Sequence, residues 1–310
     1  MNSKKIVMCG CLESGVNMVD HIISHGITIS YFVSLNSEQA KKHNISGYHS
    51  FEDLSKKYNI PIYYPHDYSL DNPIDVEFFE KNNFDLLILG GWNRLIPKNI
   101  LDTLRIGGLG IHGSSEFLPK GRGRASINWS LIEDKKCFIL HLFLLTKNID
   151  DGDVLDYKIF DINEWDTCRT LYYKFSMMAK RMLEEQIPKI LENNFKKTPQ
   201  GKDPSFYPKR NPDDGIIYWS NTVFQIYNFI RALTKPYPGA FAYNENKKIY
   251  FWKSQPFDTR IIFSHAKKGE VVEKFSTGDF VVNCKSGLLL ITDYDGEVNI
   301  GDVLSSEINQ

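Results

Sequence analysis

Apolar positions in the first ninety residues form short uninterrupted runs, separated by stretches in which they recur at helical spacing. Lys5–Cys9 reads as a strand, and Ser14–Ser24 carries Val16, Met18, Val19, Ile22 and Ile23 on one helical face. Ile27–Val33 predicts the next strand, Glu38–His43 and Phe51–Tyr58 predict helices, and Ile60–Tyr64 predicts a third, shorter strand. Asp85–Gly90 is a continuous apolar run bounded by glycine, the signature of a strand buried on both faces. Strands separated by helix-length segments pair in parallel through right-handed crossovers. The expected fold is therefore α/β, a Rossmann-like doubly wound sheet over residues 1–194.

Farther along, Thr167–Asn193 is a long helical stretch with a stripe of Leu171, Phe175, Met178, Met182 and Ile187. Its two methionines read as core filler and not as a cofactor box. Residues 195–214 are rich in Pro, Gly and charge, and 195–219 is taken as a linker. Ser220 is placed to cap a helix through Leu233, ended by Lys235-Pro-Tyr-Pro-Gly239. Short strand-like runs follow at Phe241–Tyr243, Lys248–Trp252, Arg260–Phe263, Phe280–Asn283 and Gly287–Thr292. Turn signals between them predict a smaller C-terminal antiparallel β-barrel domain over 220–310. No internal repeat is visible.

At 310 residues the chain can hold a large core and a second domain, and 42% hydrophobic with 24% charged residues is ordinary for a globular protein. The net charge of −1 gives no basic footprint of the kind nucleic acid attracts. Residues 201–310 alone carry 13 Lys+Arg against 13 Asp+Glu, so the last third is neutral too. The N-terminal run enters a strand pattern without a signal-peptide apolar region, and no apolar run approaches a membrane span. A cytoplasmic location is expected, with no membrane or nucleic-acid partner and a homodimer left open. Five scattered cysteines read as reduced thiols, and Cys9-Gly-Cys11 is too weak to imply a metal, so none is expected. The turn Cys9–Gly15 lacks the G-x-G-x-x-G spacing of a nicotinamide-binding loop.

Candidate chemistry gathers in Gly110-Ile-His-Gly-Ser-Ser-Glu-Phe-Leu-Pro-Lys-Gly-Arg-Gly-Arg-Ala-Ser-Ile-Asn-Trp129. His112 stands at the end of an apolar segment, where ligands meet open α/β sheets, and a Gly/Arg-rich loop follows at once. Thr146–Asp153 supplies a second polar turn with Asp150, Asp151 and Asp153. An imidazole beside a carboxylate favours its charged form and can donate to an oxyanion on an acyl carbon. No Ser or Cys with a matching base stands out, so a substrate amine would be the nucleophile. Arg122 and Arg124 could grip an anion in bidentate fashion. His21, His25, His43, His49 and His66 show no partner in the sequence, and His141 reads as a satisfied strand residue.

These motifs resemble the formyltransferases that use 10-formyltetrahydrofolate, whose pattern is Asn-x-His-Gly-Ser, Leu-Pro-x-x-Arg-Gly and a turn with Asp before Gly. Here it reads Gly110-Ile-His112-Gly-Ser114, Leu118-Pro-Lys-Gly-Arg-Gly123 and Ile149-Asp150-Asp-Gly152. Arg122-Gly-Arg-Ala125 with Asn128-Trp129 resembles the branch acting on nucleotide-linked amino sugars, such as UDP-4-amino-4-deoxy-L-arabinose. Tyr207–Gly215, Trp219 and Arg231–Phe241 do so too, and the similarity runs from about residue 5 to 300. The resemblance implies an N-formyltransferase of surface-polysaccharide biosynthesis, with an OB-like second domain and 10-formyltetrahydrofolate as co-substrate. His112 would be the catalytic acid and Asp150 the carboxylate that tunes it. Arg94, Leu95, Ile96, Arg124, Thr146, Lys147, Asn148 and Ile149 match folate-contacting positions. Arg122, Asn128 and Trp129 fall to the acceptor.

One departure is chemical. The family's oxyanion-holding asparagine falls on Gly110, and such a donor is typically worth about 3 kcal/mol. Asn93, Asn128, a backbone N–H or a water is left to replace it, and restored activity in Gly110→Asn would speak for a binding homologue that lost activity with the asparagine. An insertion around Ser115–Phe117 and Ser126 in place of the branch's Pro reshape the same loop. Two alternatives stand beside this reading: a methionyl-tRNA formyltransferase, and a folate- or nucleotide-sugar-binding homologue impaired by the loss at Gly110.

Overall fold

The computed structural model describes residues 4–308, so Met1–Ser3, the start of the N-terminal run read above, lie outside the described residues. The chain forms two compact units, each assembled from discontinuous segments. The first comprises residues up to Gly123, Ile139–Phe160 and Lys174–Phe206; the second comprises Arg124–Phe138, Asp161–Tyr173 and Tyr207 onward.

In the first unit the expected strands are β1 (Ile6–Cys9), β2 (Tyr31–Val33), β3 (Ile62–Tyr63) and β4 (Leu86–Leu89), followed by β5 (Gly107–Ser114). The helices between them are α1 (Glu13–Ser24), α2 (Ser37–Lys42), α3 (Glu52–Tyr58), α4 (Pro73–Asn82) and α5 (Lys98–Asp102). A two-residue strand β6 (Arg122–Gly123) precedes α6 (Ser126–Ile132), β7 (Cys137–Leu144) and β8 (Val154–Asp161). The long helix is α7 (Cys168–Leu191). Sheet order is β3-β2-β1-β4-β5-β7-β8, with the first five strands parallel, as the spacing predicts. β7 runs antiparallel to β5, with Gly110 opposite Phe143 and His112 opposite His141. The segment between them gives its helix α6 to the second unit instead of laying it across the sheet as a crossover, so the chain re-enters from the same end.

Alternate residues of the central strands feed two separate cores. Ile6, Met8, Leu86 and Ile88 pack on one face with Met182, Leu183 and Ile187 of α7. Val7, Cys9 and Leu87 pack on the other with Phe79, Phe84 and Trp92. Met182 is fully buried and Met178 packs beside it, consistent with filler. The turn after β1 uses its glycines for packing: a Cβ at Gly10 or Gly15 would lie 2.1 or 2.2 Å from the Gly90 carbonyl oxygen.

The chain then passes β9 (Phe206–Tyr207) and a 3-10 turn at Pro212–Gly215 to α8 (Val223–Leu233). α8 is capped at Thr222, not at Ser220. The Thr222 hydroxyl accepts from the Gln225 N–H while the Gln225 side chain accepts from the Thr222 N–H, a reciprocal box that Ser220, with Val223 three residues on, could not make. β10 (Ala240–Asn244), β11 (Lys247–Asp258), β12 (Val271–Lys274), β13 (Phe280–Cys284) and β14 (Gly287–Asp295) form a five-stranded antiparallel sheet, ordered β10-β11-β14-β13-β12. Val303 and Ser305 bridge to Glu270 and Tyr243, closing the sheet in the manner of a small barrel. The strand expected at Arg260–Phe263 does not form. Asp258 accepts from the N–H groups of Arg260 and Ile261 at 2.6 and 2.7 Å, a turn that carries the chain out of the ladder.

The division at 194 and 220 also changes. α6 belongs with α8, where the Asn128 side chain donates to the Ala232 carbonyl at 2.7 Å. Buried Arg231 donates to the carbonyls of Asn163 and Asp166. Chain order had assigned those residues to the first domain.

Candidate active site

His112 points from the same side of β5 as Gly110, two residues earlier. Its Nδ1 lies 3.5 Å from Asp150 Oδ2, and its Nε2 lies 2.8 Å from the Gly121 carbonyl oxygen. A carbonyl only accepts, so Nε2 carries a proton in this arrangement. Nδ1 is left facing the carboxylate. The sequence motifs lie 38 positions apart, yet the fold delivers them to one another within the first unit.

Asp150 is held firmly. It sits in the left-handed region at φ 48°, an unusual conformation for a non-glycine residue. Its Oδ2 also accepts from the Gly123 N–H at 3.1 Å. Around it the Thr146 hydroxyl bonds to Asp151 Oδ1, the Asn148 amide donates to Asp151 Oδ2 at 2.7 Å, and the Asn148 N–H donates to Thr146 Oγ1 at 3.0 Å. Gly152 has to be glycine, because a Cβ there would lie 1.7 Å from the Leu144 carbonyl oxygen.

The space beside Gly110 is already taken. A Cβ at this position would approach Leu145 Cδ2 to 2.7 Å and Phe143 Cζ to 2.8 Å. An asparagine introduced at Gly110 would therefore press first on two apolar side chains. Asn128, in the second unit, is fully buried, and its amide donates to the Ala232 carbonyl.

The folate-matched residues divide by exposure. Arg94 is exposed, with its guanidinium 5.2 Å above the Tyr68 ring, and Leu95 is 51% exposed, whereas Ile96 is buried in the core below them. Lys147, Asn148 and Ile149 are exposed on the turn before Asp150. Arg122 does not face solvent freely: its Nε and Nη2 donate to Gln200 Oε1 at 3.2 and 2.6 Å. In the second unit, the Arg124 N–H donates to the Tyr207 carbonyl. There Trp129 stacks on Tyr207 at 5.8 Å, with the Arg210 guanidinium 5.0 Å from the indole.

Two histidine readings change. His21 has a partner, Glu184 Oε2 at 2.9 Å, and His25 lies against it with ring centroids 4.1 Å apart. With Glu184 they are the one group of potential metal ligands among the described residues. His141, opposite His112, accepts from the Leu118 N–H at 3.4 Å, while its Nδ1 has no partner. Burial, reinforced by the charge of His112, pushes its pKa down to about 4. It is thus a neutral neighbour under the catalytic candidate.

Residues 23–187 match the family described as Formyl transferase, and residues 209–298 match Formyl transferase, C-terminal domain. The chain belongs to the formyl transferase family. It is 34% identical over 243 residues to the bifunctional polymyxin resistance protein ArnA of Wigglesworthia glossinidia brevipalpis, covering 78% of this chain and 36% of that one. The chain thus spans about a third of the length of that relative. Among solved structures, it resembles an N-formyltransferase from Helicobacter canadensis in complex with folinic acid and dTDP-3-aminofucose. The TM-score is 0.69 at 17% identity, over 94% of this chain and 100% of that one. WlaRD, a sugar 3N-formyl transferase in the presence of dTDP and 5-N-formyl-THF, matches with TM-score 0.69 at 20% identity, over 96% and 100%. At these identities the likeness is one of fold.

Sequence reasoning missed Gln200, which sits in the stretch read as linker. Its Nε2 donates to the carbonyls of Asp150 and Gly152, both at 2.8 Å, while its oxygen accepts from Arg122. Only its place between Pro199 and Gly201 was visible in the sequence, and that signals a turn. In this formyl transferase, then, the second residue on His112 is oriented by a segment that composition had set aside.

Proposed function

We propose that the chain is an N-formyltransferase that moves the formyl group of 10-formyltetrahydrofolate to the amine of a nucleotide-linked amino sugar. The observation that carries this reading is the pairing of His112 with Asp150 at 3.5 Å in a chain of the formyl transferase family. The amine lone pair attacks the formyl carbon, and the carbonyl π pair moves onto oxygen. His112, oriented by the facing Asp150 carboxylate, donates a hydrogen bond to that oxygen. Collapse breaks the bond to folate N10, which takes up the proton the amine gives up, leaving tetrahydrofolate and a formamide. The sugar nucleotides named for the fold relatives support this acceptor class, and a cytoplasmic reaction on surface-polysaccharide precursors is the setting proposed. Among the described residues no helix is long and apolar enough to cross a membrane.

The test is a formyl-transfer assay against UDP-, dTDP-, GDP- and CMP-linked amino sugars, followed by tetrahydrofolate release. Turnover with one of them is expected, together with losses of about a thousandfold in kcat for His112→Ala and Asp150→Ala at unchanged fold. Wild-type rates in both variants would end the mechanism. Retention of initiator tRNA on a filter, tight and salt-sensitive, would favour the methionyl-tRNA reading, which the neutral last third of the chain does not support.

A further inference from the structure

Both ring nitrogens of His112 are set by neighbours that meet on a single side chain. Nδ1 faces Asp150, in the turn before β8, and Nε2 faces Gly121, in the loop before β6. Gln200 ties these two segments together. Its Nε2 donates to the carbonyls of Asp150 and Gly152, and its Oε1 accepts two N–H groups from Arg122, the residue after Gly121. The amide orientation is fixed by chemistry. Turned over, it would set an NH₂ against a guanidinium and a carbonyl against two carbonyls, with no donor–acceptor pair left. Ser205 adds a second anchor, accepting from the Gly121 N–H at 2.8 Å through its hydroxyl and from the Arg122 N–H at 3.0 Å through its carbonyl.

Asp150 needs such a clamp. Its backbone lies in the left-handed region, which an aspartate adopts less readily than a glycine, and the carboxylate that meets His112 rides on that backbone. We propose that Gln200 is a positioning residue for formyl transfer, fixing Asp150 and the Gly121–Arg122 loop about His112 through its bridging amide. The inference rests on the function proposed above and assigns to the 195–219 segment a part in that site. Removing the bridge leaves donor and acceptor binding largely intact but lets the carboxylate leave the imidazole.

The test is a kinetic cycle on the full chain, with Gln200→Met, which keeps length and loses every hydrogen bond, and Asp150→Asn. Gln200→Met is expected to lower kcat at least tenfold with acceptor KM within about twofold, and to cost nothing further in the Asp150→Asn background. A purely architectural role would make the two losses multiply. Gln200→Glu keeps the acceptor toward Arg122 and removes the donors toward the carbonyls, so it should show the same kcat loss even if the Met variant folds poorly. Wild-type kcat in Gln200→Glu, or multiplying losses in the cycle, would overturn the proposal. A readout independent of turnover separates it from the reaction itself: the imidazole ¹⁵N signals of His112 should move in Gln200→Glu. If no acceptor on the panel is formylated but those signals move, the reaction assignment fails and the positioning role stands. Unmoved signals refute the role.

Discussion

Gly110 shows how one missing side chain is compensated by its neighbours. Phe143 and Leu145 occupy the volume an asparagine would need, so Gly110→Asn overpacks the sheet and should cost about 1–3 kcal/mol by urea unfolding, with no gain in turnover. His141 behaves differently, through charge. Between pH about 6.5 and about 4 the unfolded chain binds a proton that the buried imidazole refuses, so stability declines as pH falls across that window. The decline amounts to about 3 kcal/mol. Denaturant titrations at several pH values should show that slope in the wild type and lose it in His141→Gln. His112 was legible in the sequence because a histidine at a strand end is a local pattern, whereas Asp150 was singled out from the three aspartates of its turn only by the resemblance to the formyltransferases. Gln200 was not, because its importance comes only from what lies across from it.

At the scale of elements, apolar runs and helical spacing located β1 to β4 and α1 to α3 within a few residues. Of these strands, β1 and β4 are buried on both faces, and continuous apolarity is what such burial demands. Cap and strand ends were less legible, since hydrogen bonds of single side chains settle them. Thr222→Ala should remove one arm of the α8 capping box and cost about 1 kcal/mol in thermal or chemical unfolding, whereas Ser220→Ala should cost little. Arg260–Phe263 has the composition of a strand, but the Asp258 carboxylate takes the two amide groups that would have entered the ladder.

For the whole molecule, the discontinuous units make a specific claim about dissection. A fragment of residues 220–310 lacks α6 and Asp161–Tyr173, and with them the carbonyls of Asn163 and Asp166 that buried Arg231 requires. An unpaired buried charge costs about 3–5 kcal/mol. That fragment should melt without a cooperative transition by circular dichroism, while a fragment set restoring 124–138 and 161–173 should recover one. The sequence by itself determined the doubly wound sheet, the antiparallel C-terminal strands and the candidate histidine at a strand end, because periodicity and short motifs are written in neighbouring residues. Only the tertiary structure decided that β7 turns antiparallel, that a side chain at Gly110 would press on Phe143 and Leu145, and that Gln200 grips Asp150. Each of those depends on volume and hydrogen-bond partners contributed by residues remote in the chain, and no local pattern encodes them.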